Sequence, residues 1–212
     1  MLQSGFNPLA AIARARQLVF EARYVLLAMV AWFAISAVIG GATAPDVISE
    51  LKRDVHSPKE LARLSPILRP EITYKKSEVR DPKLLRLAVE LFVRNARATA
   101  VLLYLGGVVI ILPALMVFYE GWSFGAIVEQ AGFHALLHRA VPHAFIELPM
   151  FFCSAAIATL LAFRLYKSVR RSLKLALLAF LRDTTATYIA CLPVLIASAF
   201  IEAYGTRLLW GQ

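Results

Sequence analysis

Three long runs without a charged side chain restrict the fold of this chain more than any other feature. They cover residues 24–42, 98–119 and 184–201, which is 19, 22 and 18 residues respectively. A helix needs about 17–25 apolar residues to cross the hydrocarbon core of a bilayer. The hydrophobic share of the chain, 59%, also exceeds the roughly one half that is usual in soluble domains. We therefore predict an all-α, polytopic transmembrane helix bundle.

Two further segments can reach into the membrane. Residues 143–164 are mostly apolar, whereas 121–141 is helical in pattern but contains acidic, basic and histidine side chains. We predict four or five membrane-crossing or re-entrant helices, and we expect 98–119 to be one unbroken span. Basic groups before the first span and after 143–164 both favour the cytoplasm. Five crossings with the N-terminus inside satisfy both groups; the alternative has four crossings and a cytoplasmic 43–97 segment.

The distribution of polar residues divides the chain into four parts. Asn7 can cap the first helix and Pro8 can begin it, while the stretch 172–181 is expected to be a surface connector between the last two spans. The four parts are an interfacial N-terminal helix (1–23), a first transmembrane span (24–42), a polar loop with an amphipathic helix from about residue 82 (43–97), and a membrane core (98–206).

Two carboxylates interrupt the last two apolar helices. Glu147 lies 17 residues before Arg164, and Glu202 lies 19 residues after Asp183. In an antiparallel hairpin this spacing puts both acids within about 3–5 Å of the same depth. Such a pair can share a proton, bind a cation or pair with a base; the alternatives are hydrogen bonding between helices and recognition of a partner's membrane helix. The predicted intramembrane polar cluster consists of His143, Glu147 and Glu202, with Arg139 and Arg97 as other candidate bases.

Patterns for metal binding and catalysis are weak in this sequence. His134 and His138 are four residues apart, which suits a pair of metal ligands, but no H-E-x-x-H pattern surrounds them. Cys153 and Cys191 lie in apolar runs and offer neither a disulfide framework nor zinc spacing. No nucleophile elbow and no phosphate-binding glycine loop is present. We predict that the chain is not an enzyme and has no cofactor and no metal site.

A series of glycines and polar residues marks the membrane core. Glycines allow helix backbones to approach closely, and we assign that role to Gly106, Gly107, Gly121 and Gly125. In order, the series is Asn95, Gly106-Gly107, Glu120-Gly121-x-x-x-Gly125, Pro142-His143-Ala144-x-x-Glu147-Leu148-Pro149 and Ile201-Glu202-Ala203-Tyr204. Over residues 85–206 this series resembles the stage II sporulation protein M family. Two positions depart from the family pattern, since Glu120 stands in place of the usual Asn and Ala144 in place of the usual Gly.

The resemblance implies a non-enzymatic, multi-helix protein of the cytoplasmic membrane. The namesake of the family anchors and organises peptidoglycan hydrolases during engulfment, and a permease-like role is suspected for relatives in organisms that do not sporulate. We therefore expect a scaffold or anchor, with a small transporter or permease subunit that uses the two acids as the alternative. Expected partners are the bilayer, other membrane proteins and further copies of the chain. The net charge of +9 fits membrane topology and anionic headgroups rather than nucleic acid.

Overall fold

A computed structural model describes most of the chain, and the elements within it are helical. No strand occurs in the described ranges, so the predicted all-α class is confirmed. The backbone is described for residues 7–54 and 82–205, without the side chains of 44–54, 82–83, 130–144 and 205.

Three segments of these helices are long and apolar enough to cross a membrane: Arg23–Thr43, Phe145–Val169 and Leu173–Tyr204. The first of them belongs to a helix that continues as far as Asp54, well into the segment predicted as a polar loop. The helices are α1 (Pro8–Glu21), α2 (Arg23–Asp54), α3 (Pro82–Ala100), α4 (Leu112–Val169) and α5 (Leu173–Phe200), with π-helical turns at Val101–Leu105 and Ile201–Gly205.

The N-terminal helix α1 begins as its sequence predicts. The Asn7 side chain accepts a hydrogen bond from the backbone N–H of Leu9 at 3.0 Å, and Pro8 occupies the first turn. Leu9 and Ile12 remain exposed, as in a helix that lies at a membrane interface. The opposite side is buried against the bundle through Leu18 and the small side chains of Ala11 and Ala15. The helix α1 is therefore docked on protein as well as amphipathic.

The uncharged run 98–119 is not one helix. After α3 and its π-helical turn the chain turns over residues 106–111, and α4 starts with Pro113 in its first turn. Leu102 and Val117 then share one buried cluster, so the π-helical turn at the end of α3 packs against the first turns of α4 after the chain reverses. A Cβ on Gly106 would overlap the Leu102 carbonyl oxygen, which explains why a glycine is needed there. The prediction of one unbroken span is therefore wrong, because hydropathy cannot detect a reversal between two apolar halves.

The helix α4 also folds back on itself. Val117 and Ala155 belong to the same cluster, although a straight helix would hold residues 38 positions apart at a distance of about 57 Å. The helix must therefore reverse direction between a first arm, residues 112–129, and a second arm, residues 145–169. The segment 121–141, which was predicted to cross or re-enter the membrane, therefore starts in the first arm and continues into the bend.

The helix α2 lies along both arms of α4. On the first arm, Gly121 lies against the carbonyl of Phe33 and Gly125 against that of Ala37. Residue numbers rise together in these contacts, so α2 and the first arm are parallel. The second arm returns along α2 in the opposite direction. The three segments form the part of the bundle in which glycines are most closely packed.

The helix α5 follows the second arm after a tight turn. Ser172 caps it by accepting a hydrogen bond from the N–H of Leu175 at 3.5 Å, and the helix then continues without a break through Asp183. The expected separate connector at 172–181 is therefore wrong, since these residues are the first turns of α5. Because the turn lies at 170–172, the second arm and α5 pair in a different register from the one predicted.

The helix α3 packs against α5 in the antiparallel sense. Ala88 shares a buried cluster with Ala199, while Ala96, further along α3, shares one with Leu195, earlier on α5. The turn after α3 accordingly meets the start of α5, where Gly107 lies against the ring of Phe180.

The two ends of the bundle differ in charge. One end, here called the basic end, holds α1, the turn at 106–111 and the turn at 170–172. The opposite, far end holds residue 43 of α2, the start of α3, the bend of α4 and residue 205. The cations at the basic end are Arg14, Arg16, Arg23, Arg164, Lys167, Arg170, Arg171, Lys174 and Arg182.

Candidate functional site

The register of the second arm on α5 fixes the surroundings of Glu147. The Ser198 hydroxyl donates a hydrogen bond to Glu147 Oε2 at 3.2 Å, and Ser154 lies 3.6 Å from the Cys191 sulfur. Both contacts belong to the same antiparallel register. Glu202 lies four residues beyond Ser198, so it is offset from Glu147 by about 6 Å along the helix, slightly more than the sequence predicts.

Two further charged residues, Arg94 and Glu120, lie within electrostatic range of these acids. Arg94 on α3 attracts both Glu120 on the first arm and Glu202 on the π-helical turn after α5. Glu120 in turn repels Glu147 on the second arm. Four different elements therefore supply the acid cluster, which we define as Arg94, Glu120, Glu147 and Glu202.

The predicted cluster also contains one histidine, His143, on the helix α4. The backbone of His143 is helical, but its side chain lies outside the described residues, as do those of His134 and His138. Extending the register of 147 with 198 puts position 143 across from position 202. Among described side chains, no three His, Cys, Asp or Glu residues come together in a way that could hold a metal ion.

Sequence reasoning missed Arg94 and treated Glu120 only as a departure from a family pattern. The signal that could have found them is the glycine pair followed by Pro113, which indicates a reversal. Once the chain reverses at 106–111, residues 94 and 120 lie about 18 and 12 Å from the turn along their helices, a difference that an arginine side chain can span. Both residues then reach the same part of the bundle.

The buried face of α3 carries an unusual polar residue. Asn95 is 7% exposed, and its side-chain oxygen accepts a long hydrogen bond from Arg94 Nε at 3.4 Å. Its amide nitrogen has no hydrogen-bond partner in the described part of the chain. The residue thus lies inside the bundle beside the acid cluster, on the same face as Leu91 and Thr99.

The predicted glycines lie at close helix contacts. A Cβ on Gly125 would overlap the Ala37 carbonyl oxygen, and one on Gly121 would come within 2.6 Å of the Phe33 carbonyl oxygen. These two glycines hold the first arm against α2 and so position Glu120. Gly106 and Gly107 instead belong to the turn at the basic end.

A second group of polar side chains connects α1 to α5 and to the second arm of α4. Arg14 donates from Nε and Nη2 to the two carboxylate oxygens of Asp183, at 3.1 and 2.5 Å. Gln17 accepts from Arg14 and donates to Glu21, and Glu21 pairs with Arg164 of the second arm. We call this group the α1 clamp: Arg14, Gln17, Glu21, Arg164 and Asp183.

The α1 clamp joins residues that are far apart in sequence and was not predicted. Asp183 is only 6% exposed in its side chain, and it also accepts a hydrogen bond from Arg182 at 3.0 Å. The Asp183 carboxylate raises the pKa of Arg14 through this bond. Each carboxylate of the clamp is paired with arginine, which is the arrangement expected of a structural contact.

Comparison with known proteins identifies the family. A family model described as stage II sporulation protein M matches residues 25–207, which includes α2 from its third residue onward and every residue of the acid cluster. Searches of curated proteins and of solved structures give no match. The family is membrane-associated, in agreement with the three apolar helices. By the extent of this match, the chain belongs to the stage II sporulation protein M family.

Proposed function

We propose that the chain is a non-enzymatic, multi-pass protein of the cytoplasmic membrane that serves as a scaffold or anchor within a membrane complex. Five segments cross the bilayer in this proposal: α2, α3 with its π-helical turn, the two arms of α4, and α5. The basic end then lies in the cytoplasm, as its positive charge favours. The 43–81 segment lies on the other side and is available to partners.

The observation that carries this proposal is the packing of the bundle towards the basic end. Ala155, Ile157 and Ala158 on the second arm are at most 1% exposed, and so are Leu18 and Leu103, which share a buried cluster with Ile157 and Ala158. Small side chains let helices approach closely, and interiors of this kind have few voids larger than a water molecule. A filled core of this kind suits a rigid anchor better than a conducting pathway.

Purification of the tagged full-length chain from its native membranes in mild detergent tests the scaffold role. A partner protein should be retained in a fixed ratio. As a control, a variant with 55–81 replaced by a Gly/Ser linker of equal length should keep its fold and lose that partner. Recovery of the unaltered protein alone would contradict the proposal.

The proposed crossings have their own test. A cysteine at Ser168, near the basic end, should react only with reagents that reach the cytoplasm, whereas one at Ser57 should react from outside. Labelling of both positions from the same side would exclude five crossings. This measurement is independent of any partner.

The acid cluster supports a second candidate function, a small transporter or permease subunit. Carboxylates within a membrane protein commonly line proton or ion routes, and the charges of Glu120 and Glu147 lie within electrostatic range of each other. Replacing Glu147 and Glu202 together by Gln should abolish proton- or cation-coupled flux in proteoliposomes. The control is Glu90→Gln, since Glu90 is exposed and paired with Arg86. Unchanged flux in the double variant, or no flux in the unaltered protein, would exclude this role.

A further inference from the structure

The outward face of α3 carries charge. Val89, Glu90, Val93, Arg94 and Arg97 line a shallow groove of about 440 Å³, and both arginines are exposed. Glu90 already bonds to Arg86 at 2.9 Å. Arg94 attracts Glu120 and Glu202 of the acid cluster. Among the described lining residues, the remaining charge is therefore that of Arg97.

This charged face lies at the depth of the apolar core. Arg97 follows Ala96, which packs against Cys191 and Leu195, and both of these lie within the uncharged run 184–201. Counted from the turn at Gly106, Arg97 lies about 13 Å into the bundle.

Direct contact between this charged face and lipid acyl chains is unfavourable. An arginine near the middle of a bilayer is costly unless protein or water covers it. The outward face of α2 shows the contrast, since its exposed side chains Leu27, Ile35 and Val38 are apolar. The groove on α3 therefore needs a covering that the face of α2 does not.

A complementary charge lies beside the groove at the same depth. Glu120 is exposed on the first arm, which follows α3 after the reversal at 106–111. It lies eight residues beyond Leu112, about 12 Å from the same turn. Arg97 and Glu120 are thus opposite charges at similar distances from the reversal at 106–111.

We propose that a second copy of the chain covers this face, in a dimer whose two-fold axis is normal to the membrane. Such an axis keeps every residue at its own depth and uses the same surface on both copies. Arg97 of each copy then contacts Glu120 of the other, which gives two equivalent ion pairs. The inference rests on the crossings given under Proposed function and not on the scaffold role.

Charge reversal tests the dimer directly. The dimer fraction of the full chain in lipid nanodiscs or vesicles is measured by single-molecule photobleaching over a range of protein-to-lipid ratios. Arg97→Glu alone and Glu120→Arg alone should each weaken association by at least about 10-fold, because a charge pair away from water is lost. The double variant Arg97→Glu/Glu120→Arg should restore association to near its original level.

Arg170→Glu is the matched control, because it reverses the same charge at the exposed turn of the basic end and should leave the dimer fraction unchanged. Cross-linking gives a second measurement, independent of the reversals. In a Cys153→Ala/Cys191→Ala background, Val93→Cys should form a dimer on oxidation and Leu27→Cys on α2 should not.

A monomer at every lipid ratio, single reversals without effect, or a double variant as weak as the single ones would each overturn the dimer. A monomer that retains a different membrane protein at this face would also overturn it. Labelling of Ser168→Cys and Ser57→Cys from the same side would instead exclude the crossings on which the dimer is based. The two failures are therefore distinguishable.

Discussion

At the basic end Arg14 and Arg164 each pair with a carboxylate, whereas in the far half Arg94 attracts both Glu120 and Glu202. The two regions are joined by α5, which carries Asp183 in the α1 clamp and Ser198 beside the acid cluster. About 22 Å of helix separates these two residues. The helix α5 thus takes part in one group in which each carboxylate is paired with an arginine, and it lies beside another in which Glu120 and Glu147 repel each other.

The difference indicates separate roles for the two clusters. A buried carboxylate with a bidentate arginine partner holds elements together, and breaking it is costly. Carboxylates that repel one another add no such stability, and their presence in a membrane protein points to a function or to a partner. We therefore expect substitutions at the two clusters to have effects of opposite sign on stability.

The largest effect is expected at the α1 clamp. Arg14→Leu leaves Asp183 buried without its main partner, which should lower the free energy of unfolding by about 3–5 kcal/mol. Thermal unfolding in detergent measures the loss, and Arg16→Leu, at an exposed position of the same helix, is the control. Arg14→Leu/Asp183→Leu should recover most of the stability. Equal effects of Arg14→Leu and Arg16→Leu would show that the clamp is not structural.

A smaller loss is expected where backbone contact positions the acid cluster. Gly125→Ala pushes a methyl group into the Ala37 carbonyl and should displace the first arm, at a cost of about 1–3 kcal/mol. Gly41→Ala is the matched control, because its Cβ would lie 3.6 Å from the Gly125 carbonyl oxygen, an ordinary contact. The same unfolding assay should separate the two variants. If Gly41→Ala costs as much, close approach is not what holds Glu120 in place.

The acid cluster should respond in the opposite direction. Glu120→Gln removes the repulsion with Glu147 and should leave stability unchanged or raise it by up to about 1 kcal/mol. Asp183→Asn, the corresponding change in the α1 clamp, should lower it. Unfolding curves for both variants in the same detergent make the comparison. A loss at Glu120 as large as that at Asp183 would contradict the distinction between the clusters.

The smallest effect concerns one hydrogen bond. Ser198→Ala removes the donor to Glu147 and should cost about 0.6 kcal/mol, the average for such bonds between membrane helices. Ser154→Ala is the control, since its neighbour at 3.6 Å is the sulfur of Cys191. The unfolding midpoint should fall more for the first variant than for the second. The reverse order would mean that the hydrogen bond from Ser198 to Glu147 contributes little to stability.

Local features of the chain were predictable where local residues decide them. Asn7 and Pro8 define the start of α1 because capping and proline geometry involve neighbours in sequence. The acids at 147 and 202 were selected as unusual because each interrupts an apolar helix. Arg94 was not selected, since its partners Glu120 and Glu202 come from other elements and nothing adjacent to Arg94 indicates them.

The sequence alone determined that this is a helical membrane protein, since charge-free runs of membrane length and helical hydrogen bonding are both properties of consecutive residues. Only the tertiary structure decided that the run 98–119 reverses, that α4 doubles back, and that α1 clamps the α5 hairpin. Those outcomes depend on close approach between distant residues, such as Gly125 with Ala37 and Arg14 with Asp183. Apolar segments of equal hydropathy pack according to the shapes of their surfaces. That complementarity is a property of two distant segments together, and neither segment shows it alone.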